Sequence, residues 1–312
     1  MDKLDKSRFD WVGANALEGE GIARPSISYW KDAMKRLSKN KTAIVCLGVI
    51  ILIGLMAIVV PIISPYTVSE QHYAHTNAVM GFKDPVDGHM HLFGTDKLGR
   101  DIFTRVWSGA RISLFIAITA VFVNFIIGIV YGGIAGYMGG MLDNVMMRFI
   151  EIINGIPYLI IVILLMMVLK PGTTTIIIAY AAVGWTGMAR LVRGQLMSLK
   201  EQDYVVAAKV MGAKPARIIA KHLLPNTLSV VIVNITLAIP SAIFTEAFLS
   251  FIGLGVPVPL ASWGTLANDG VKIFQMYPTQ LMIPALCISI TMLSFNLLGD
   301  GLRDALDPRL RR

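Results

Sequence analysis

Seven windows of this 312-residue chain run for 18 residues or more with no, or almost no, Asp, Glu, Lys or Arg, and six of them are apolar enough to span a bilayer. A helix that crosses the hydrocarbon of a bilayer needs about 20 largely apolar residues. The runs lie between Lys41 and Glu70, Arg111 and Asp143, Glu151 and Lys170, Lys170 and Arg190, Lys221 and Glu246, and Lys272 and Asp300. The densest part of the first is 42–63, and a helix over 112–133 is expected in the second. The seventh window, Ala247–Val271, holds Gly253, Gly255, Pro257, Pro259 and Asp269 and is rejected. Six transmembrane helices are therefore expected, in an all-α integral membrane protein. Charged residues make up 15% of the chain and hydrophobic ones 55%. An average soluble chain is about 25% charged, so this one lacks the means to cover a soluble exterior.

The charges also orient the chain. Placing the N-terminal tail, 1–41, on the cytoplasmic side puts 21 Lys/Arg and 13 Asp/Glu on that face, against 7 and 7 outside. Basic excess marks the cytoplasmic side, so both termini, including a tail over 302–312, are expected inside. The basic balance is then explained by orientation and anionic membrane lipid, with no nucleic-acid partner. The first apolar run starts late and is too long for a cleaved signal, so it is read as a retained helix. Cys46 and Cys287 lie in apolar runs at different depths and are expected to be free thiols.

The external loop, 64–108, ends in an expected interfacial helix. Thr95 offers a cap, Asp96 suits the helix dipole, and Leu98, Ile102, Phe103 and Val106 form a stripe beside Lys97, Arg100, Asp101 and Arg105. Trp107 serves as an interface anchor. His72, His75, His89 and His91 fall in the same loop; they are read as loop polarity, with no metal site. Gly128, Gly132, Gly136 and Gly140 recur every fourth residue and are read as a helix-packing seam.

Residues 190–227 form the most telling segment. Asp203 can cap a helix starting at Tyr204 and carrying Ala207 and Ala208. Gly212 can end it in a left-handed conformation ahead of Ala213 and Lys214. Pro215 opens a second helix, and Pro225, after His222 and Leu224 and before Asn226, is expected to stop it. Two short cytoplasmic helices with a shallow alanine surface suit close docking. The chain has no phosphate-binding G-x-x-x-x-G-K-[S/T] loop and no acid in the middle of a span. Glu246, at the outer end of the fifth, comes nearest. A pathway with a docking loop but no energy source of its own is implied.

These residues resemble a known family. Asp203 to Ala208, Gly212-Ala213 and His222-Leu223-Leu224-Pro225-Asn226 are similar to the EAA loop of bacterial ABC importer permeases, with Val206 where the family has Glu. His91-Leu92-Phe93-Gly94-Thr95-Asp96 with Gly99-Arg100-Asp101, then Gly109 to Leu114, resembles the C-type permease of dipeptide, oligopeptide and nickel importers. Arg148, Glu151 and Pro157, the run Glu246 to Gly255, Ser262-Trp263-Gly264, Gly299 to Asp304 and Asp307-Pro308-Arg309 fit the same pattern in order. The resemblance implies a type I ABC importer permease fold, with the permease domain proper over 109–301. It implies a second homologous permease as heterodimer partner, two ABC ATPase subunits on the EAA loops, and an extracellular peptide-binding protein. ATP and Mg would sit on the ATPases, and this chain would bind no cofactor and have no catalytic residue. Asp96, Arg100, Asp101 and Glu246 become candidates for an external gate. The expected function is oligopeptide or dipeptide import across the bacterial plasma membrane. A nickel importer permease is the alternative, and a secondary peptide transporter the alternative from another class.

Overall fold

The computed structural model describes residues 28–85 and 88–307. Helix α1 (Tyr29–Lys39) is separated from α2 (Lys41–Ile63) by Asn40 alone, whose side chain accepts from the Ala43 N–H at 3.1 Å and starts the second helix. After a long loop come α3 (Ile102–Met138), α4 (Gly140–Gly155), α5 (Tyr158–Leu169), α6 (Thr173–Val183) and α7 (Trp185–Leu199). Two short helices follow, α8 (Asp203–Val210) and α9 (Pro215–Ile218), then α10 (Leu224–Phe251), α11 (Trp263–Val271) and α12 (Thr279–Leu306). The loop carries one two-stranded antiparallel ribbon, β1 (Phe82–Lys83) with β2 (Met90–His91), in the register Phe82 to His91.

Five segments are long and apolar enough to cross a membrane: Lys41–Ile63, Ile102–Met138, Thr173–Leu199, Pro215–Phe251 and Thr279–Leu306. The pair α4 and α5, bent by 80°, passes the same test together, and counting it as one broken span gives up to six. The bend follows from Pro157. The residue before a proline avoids the helical region, and Ile156 accordingly sits extended at φ −87°, ψ 124°. The window Ala247–Val271 is no span: α10 stops at Phe251 and only the nine-residue α11 follows.

Two local expectations are corrected. Residues 94–101 form no interfacial helix. Gly94 and Gly99 adopt φ of +78° and +72°, and the Asp96 carboxylate takes the N–H groups of Leu98 (2.8 Å) and Arg100 (3.0 Å) in a turn. Asp101 is the stronger cap, accepting from the Thr104 N–H and hydroxyl, both at 2.7 Å. The helix therefore starts at Ile102 and runs without a break into the second span, so the loop boundary expected at 108 falls inside α3. At 37 residues, α3 rises about 55 Å and reaches well beyond the bilayer core. Nor does Pro225 stop the second docking helix. A five-residue π turn, Ile219–Leu223, takes up the hydrogen bond and space a proline denies a regular helix, and α9 continues through it into α10.

The glycine seam does pack helices. An added Cβ at Gly128 would lie 2.6 Å from Met188 Cβ, and one at Gly136 would lie 2.7 Å from the Arg193 carbonyl oxygen; Gly132 faces the Ala189 backbone. Only Gly in these places lets α7 approach α3 so closely. Gly140 stands apart, facing open space at φ +60°. Arg193 on α7 also grips Asp143 on α4 through two bonds of 2.5 Å. Cys46 and Cys287 are free thiols.

Candidate coupling surface and external cap

The docking loop builds itself from local rules. Gln202 takes the cap position and Asp203 the first helical turn, where its charge suits the helix dipole. At the other end the Gly212 N–H donates to the Lys209 carbonyl (2.9 Å) and the Ala213 N–H to the Ala208 carbonyl (3.0 Å), with Gly212 at φ +77°. That double closure is a Schellman motif, and it places Ala213 against Ala208. Lys214 then caps α9, with Pro215 in its first turn.

Val205, Ala208, Ile218 and Leu223 turn inward and pack on Val192 and Leu196 of α7 and Val231 of α10. The opposite face looks out. Asp203, Tyr204, Ala207, Gly212, Lys214, Pro215 and Asn226 are exposed, while Ala213, His222 and Leu224 are half-buried. The Asn226 amide donates to the His222 carbonyl at 2.7 Å and to the Tyr204 hydroxyl at 3.3 Å, tying the start of α8 to the root of α10. Between them protrude two residues that motif reading passed over: Val210 is 83% exposed and Met211 81%. Part of the signal was available, since Val210 lies on the helix face opposite Val205 and Ala208, and Met211 follows it at the C-cap. An apolar tip on a rigid, internally packed base is a surface shaped for a partner.

At the other end of the molecule, the candidate gate residues Asp96, Arg100 and Asp101 are buried and paired with one another's surroundings. Arg100 Nε donates to Asp96 at 2.7 Å, and Arg105 lies 3.6 Å from the same carboxylate. Asp101 accepts from α3 as described and also pairs with His91 Nδ1 at 2.8 Å. Gly99 can have no side chain because the His72 backbone occupies that space, and Gly94 likewise abuts the Ala78 carbonyl. Gln280 of α12 donates to Asn77 and to the Thr95 carbonyl, both at 3.1 Å, and fastens the loop to the last span. The signature residues thus form a staple that holds a cap onto α3 and α12.

Three of the four histidines are more than loop polarity. His72, His75 and His91 surround the buried Asp84, with nitrogen-to-oxygen separations of 3.5, 3.5 and 3.9 Å, and His91 stacks on Tyr66 at 4.2 Å. His89 meets the same Tyr66 ring edge-on. Among the described residues no group of three His, Cys, Asp or Glu is placed to hold a metal ion. Spacing in sequence could not show that Asp84, between the two histidine pairs, is where they meet.

Glu246 is 1% exposed at the outer part of α10. Its carboxyl accepts from Ser113 of α3 (2.6 Å) and Ser250 (2.7 Å); Ser262 donates on to Ser250, and the Trp263 N–H donates to Ser113 (3.2 Å each). The Trp263 ring N–H reaches the Val106 carbonyl at 3.1 Å. Gly264 allows the contact, since a Cβ there would lie 2.7 Å from Ala247 Cα. The two late motifs are therefore two halves of one joint between α3, α10 and α11. Of the remaining motif residues, Arg148 and Glu151 form an exposed pair at 2.7 Å, and Pro308 and Arg309 lie outside the described residues.

Comparison with known proteins places these features. A family model described as "binding-protein-dependent transport system inner membrane component" matches residues 128–312, and one described as "N-terminal TM domain of oligopeptide transport permease C" matches 28–85. The chain is 51% identical to the oligopeptide transport system permease protein OppC of Bacillus subtilis (strain 168) over 312 residues, the whole of both chains. It is 51% identical to the dipeptide transport system permease protein DppC of the same organism over 296 residues, 95% of this chain and 90% of that one. OppC of Escherichia coli (strain K12) is 42% identical over 91% of this chain and 92% of its own. Among solved structures, an inward-facing form of the MetNI methionine ABC transporter shares the fold at a TM-score of 0.52 and 20% identity, covering 65% of this chain and 94% of that one.

Proposed function

This chain belongs to the family of binding-protein-dependent transport system inner membrane components, and from that membership we propose that it is the peptide-translocating permease of an ATP-driven importer, worked from the cytoplasm through α8 and α9. As a multi-pass membrane permease it is not an enzyme; ATP hydrolysis belongs to separate subunits of the transporter. In the proposed assembly a second homologous permease completes the path, two ATPases carry ATP and Mg, and an extracellular binding protein delivers the peptide. Both termini face the cytoplasm, as the basic excess of that side argues.

The observation that carries this reading is the docking loop. Its inner face is packed into α7 and α10, so a push on the Val210-Met211 tip is passed to two spans instead of being absorbed by a slack loop. Closure of the ATPases would move α8 and α9 as one body, and α10, continuous with α9, would carry the motion into the membrane. Outside, Asp96, Arg100, Asp101 and Glu246 act by holding the cap and α11 in place on α3, giving the delivery protein a firm seat. The peptide names of the relatives at 51% identity favour peptide over nickel as cargo.

Reconstitution tests the proposal. Vesicles holding this chain, its partner permease and the ATPases, with binding protein outside and ATP inside, should accumulate labelled tri- or tetrapeptides. Uptake that persists without the ATPases would refute it, and nickel uptake without peptide uptake would replace the cargo.

A further inference from the structure

Helix α1 divides its circumference into three faces. Ala33 and Leu37 are buried, against α12 and α2. Trp30 and Met34, one turn apart and next around the helix, are exposed, Met34 to 67%. Lys31, Lys35 and Lys39 form a row about 100° further round, and all three are exposed. The acid of the helix, Asp32, is taken by Arg36 at 2.9 Å, and Arg36 also reaches the Asp307 carbonyl. Among the described residues no acid is paired with the lysine row, which stands as a stripe of positive charge.

Its place in the fold is fixed at both ends. One residue, Asn40, separates α1 from the span that starts at Lys41, so the helix lies at the level of the lipid headgroups. Tyr29 donates to the Leu306 carbonyl and holds the far end of α1 to the end of α12. Between them is a cavity of about 240 Å³, lined by Trp30, Met34, Leu37, Ile232, Leu302 and Leu306, with scarcely a polar atom in its wall. An apolar slot, an indole at its mouth and a row of ammonium groups beside it match the parts of a phospholipid in order: acyl chain, glycerol region, phosphate.

We propose that α1 and this slot bind an anionic phospholipid of the adjoining leaflet, with one acyl chain between α1, α10 and α12 and the headgroup on Lys31 and Lys35. Charge selects the lipid. A basic residue near an anionic membrane surface favours it about fivefold, so the three lysines together favour it on the order of a hundredfold over a zwitterionic one. Because Ile232 of α10 lines the slot, the lipid also touches the helix that continues from the docking loop.

Native mass spectrometry of the assembled transporter, equilibrated with vesicles of phosphatidylglycerol and phosphatidylcholine, reads the preference directly. The wild type should retain phosphatidylglycerol at least tenfold over phosphatidylcholine. The Lys31→Gln, Lys35→Gln, Lys39→Gln variant should lose that preference while still assembling, since all three side chains are exposed. A photo-crosslinker in place of Met34 should give adducts of lipid mass in membranes. Equal retention of the two lipids by the wild type, an unchanged preference in the triple variant, or an adduct to a protein chain at position 34 would each overturn the proposal.

Discussion

The cap before α3 and the loop of α8 and α9 proposed to dock the ATPases are both dense in motif residues, yet they use them in opposite ways. In the cap, Asp96, Arg100, Asp101 and His91 are buried and spent on one another, on backbone N–H groups and on the start of α3. In the docking loop, the buried residues are plain aliphatics, and Asp203, Tyr204, Val210, Met211 and Asn226 are left facing out. The charged motif residues of the cap are therefore part of its construction, whereas around α8 the motif residues Asp203, Tyr204 and Asn226 stay at the surface beside Val210 and Met211. Charge alone would have suggested the reverse.

The contrast predicts opposite failures. Asp96→Ala strips the partner from two buried guanidinium groups, and breaking a buried pair in this way costs about 3–5 kcal/mol. The expected result is a large fall in the melting temperature of the purified complex, or loss of inserted protein, with normal ATPase binding in whatever fraction folds. Met211→Glu should do the converse. Its site is exposed, so stability should hold within about 0.5 kcal/mol, while an ionised group at the tip weakens ATPase pull-down by about 2 kcal/mol or more, roughly thirtyfold. If both variants lost stability and association together, the distinction between cap and docking loop would collapse.

Two smaller effects sharpen it. Glu246→Leu leaves Ser113 and Ser250 without their acceptor, costing about 1–3 kcal/mol in thermal unfolding. Glu246→Gln keeps an acceptor and should lose clearly less. A loss from Gln as large as that from Leu would mean that the charge itself, and not the hydrogen-bonded joint to α11, is what matters. Gly212→Val forces a β-branched residue into a left-handed position at about 1–2 kcal/mol, loosening the Schellman closure. Transport should fall with little change in membrane level, and normal uptake would show that this closure is not needed for coupling.

The apolar spans, the Gly212 terminus and the small-residue seam were legible in the sequence because each follows from a local rule: charge-free length, glycine's access to positive φ, and the spacing of helix ridges. What was not legible depended on residues meeting at a distance. The apolar stripe from Leu98 to Val106 read as a helix, but Gly94, Gly99 and the Asp96 turn outweigh it once the His72 and Ala78 backbones close in. Pro225 read as a terminator, because no sequence rule announces the π turn that carries α9 into α10. The Asp143–Arg193 grip and the histidines around Asp84 join residues that only the folded chain brings together.

The central claim is that force enters this permease at the tip of α8. With Cys46 and Cys287 replaced by Ser, a Met211→Cys transporter carries its one thiol of this chain at that tip. A short maleimide–diazirine linker placed on that thiol should, on illumination, join it to an ATPase subunit, and the yield should change when ATP is bound. A transporter that imports peptide normally while position 211 stays open to a bulky maleimide in every nucleotide state would contradict the account.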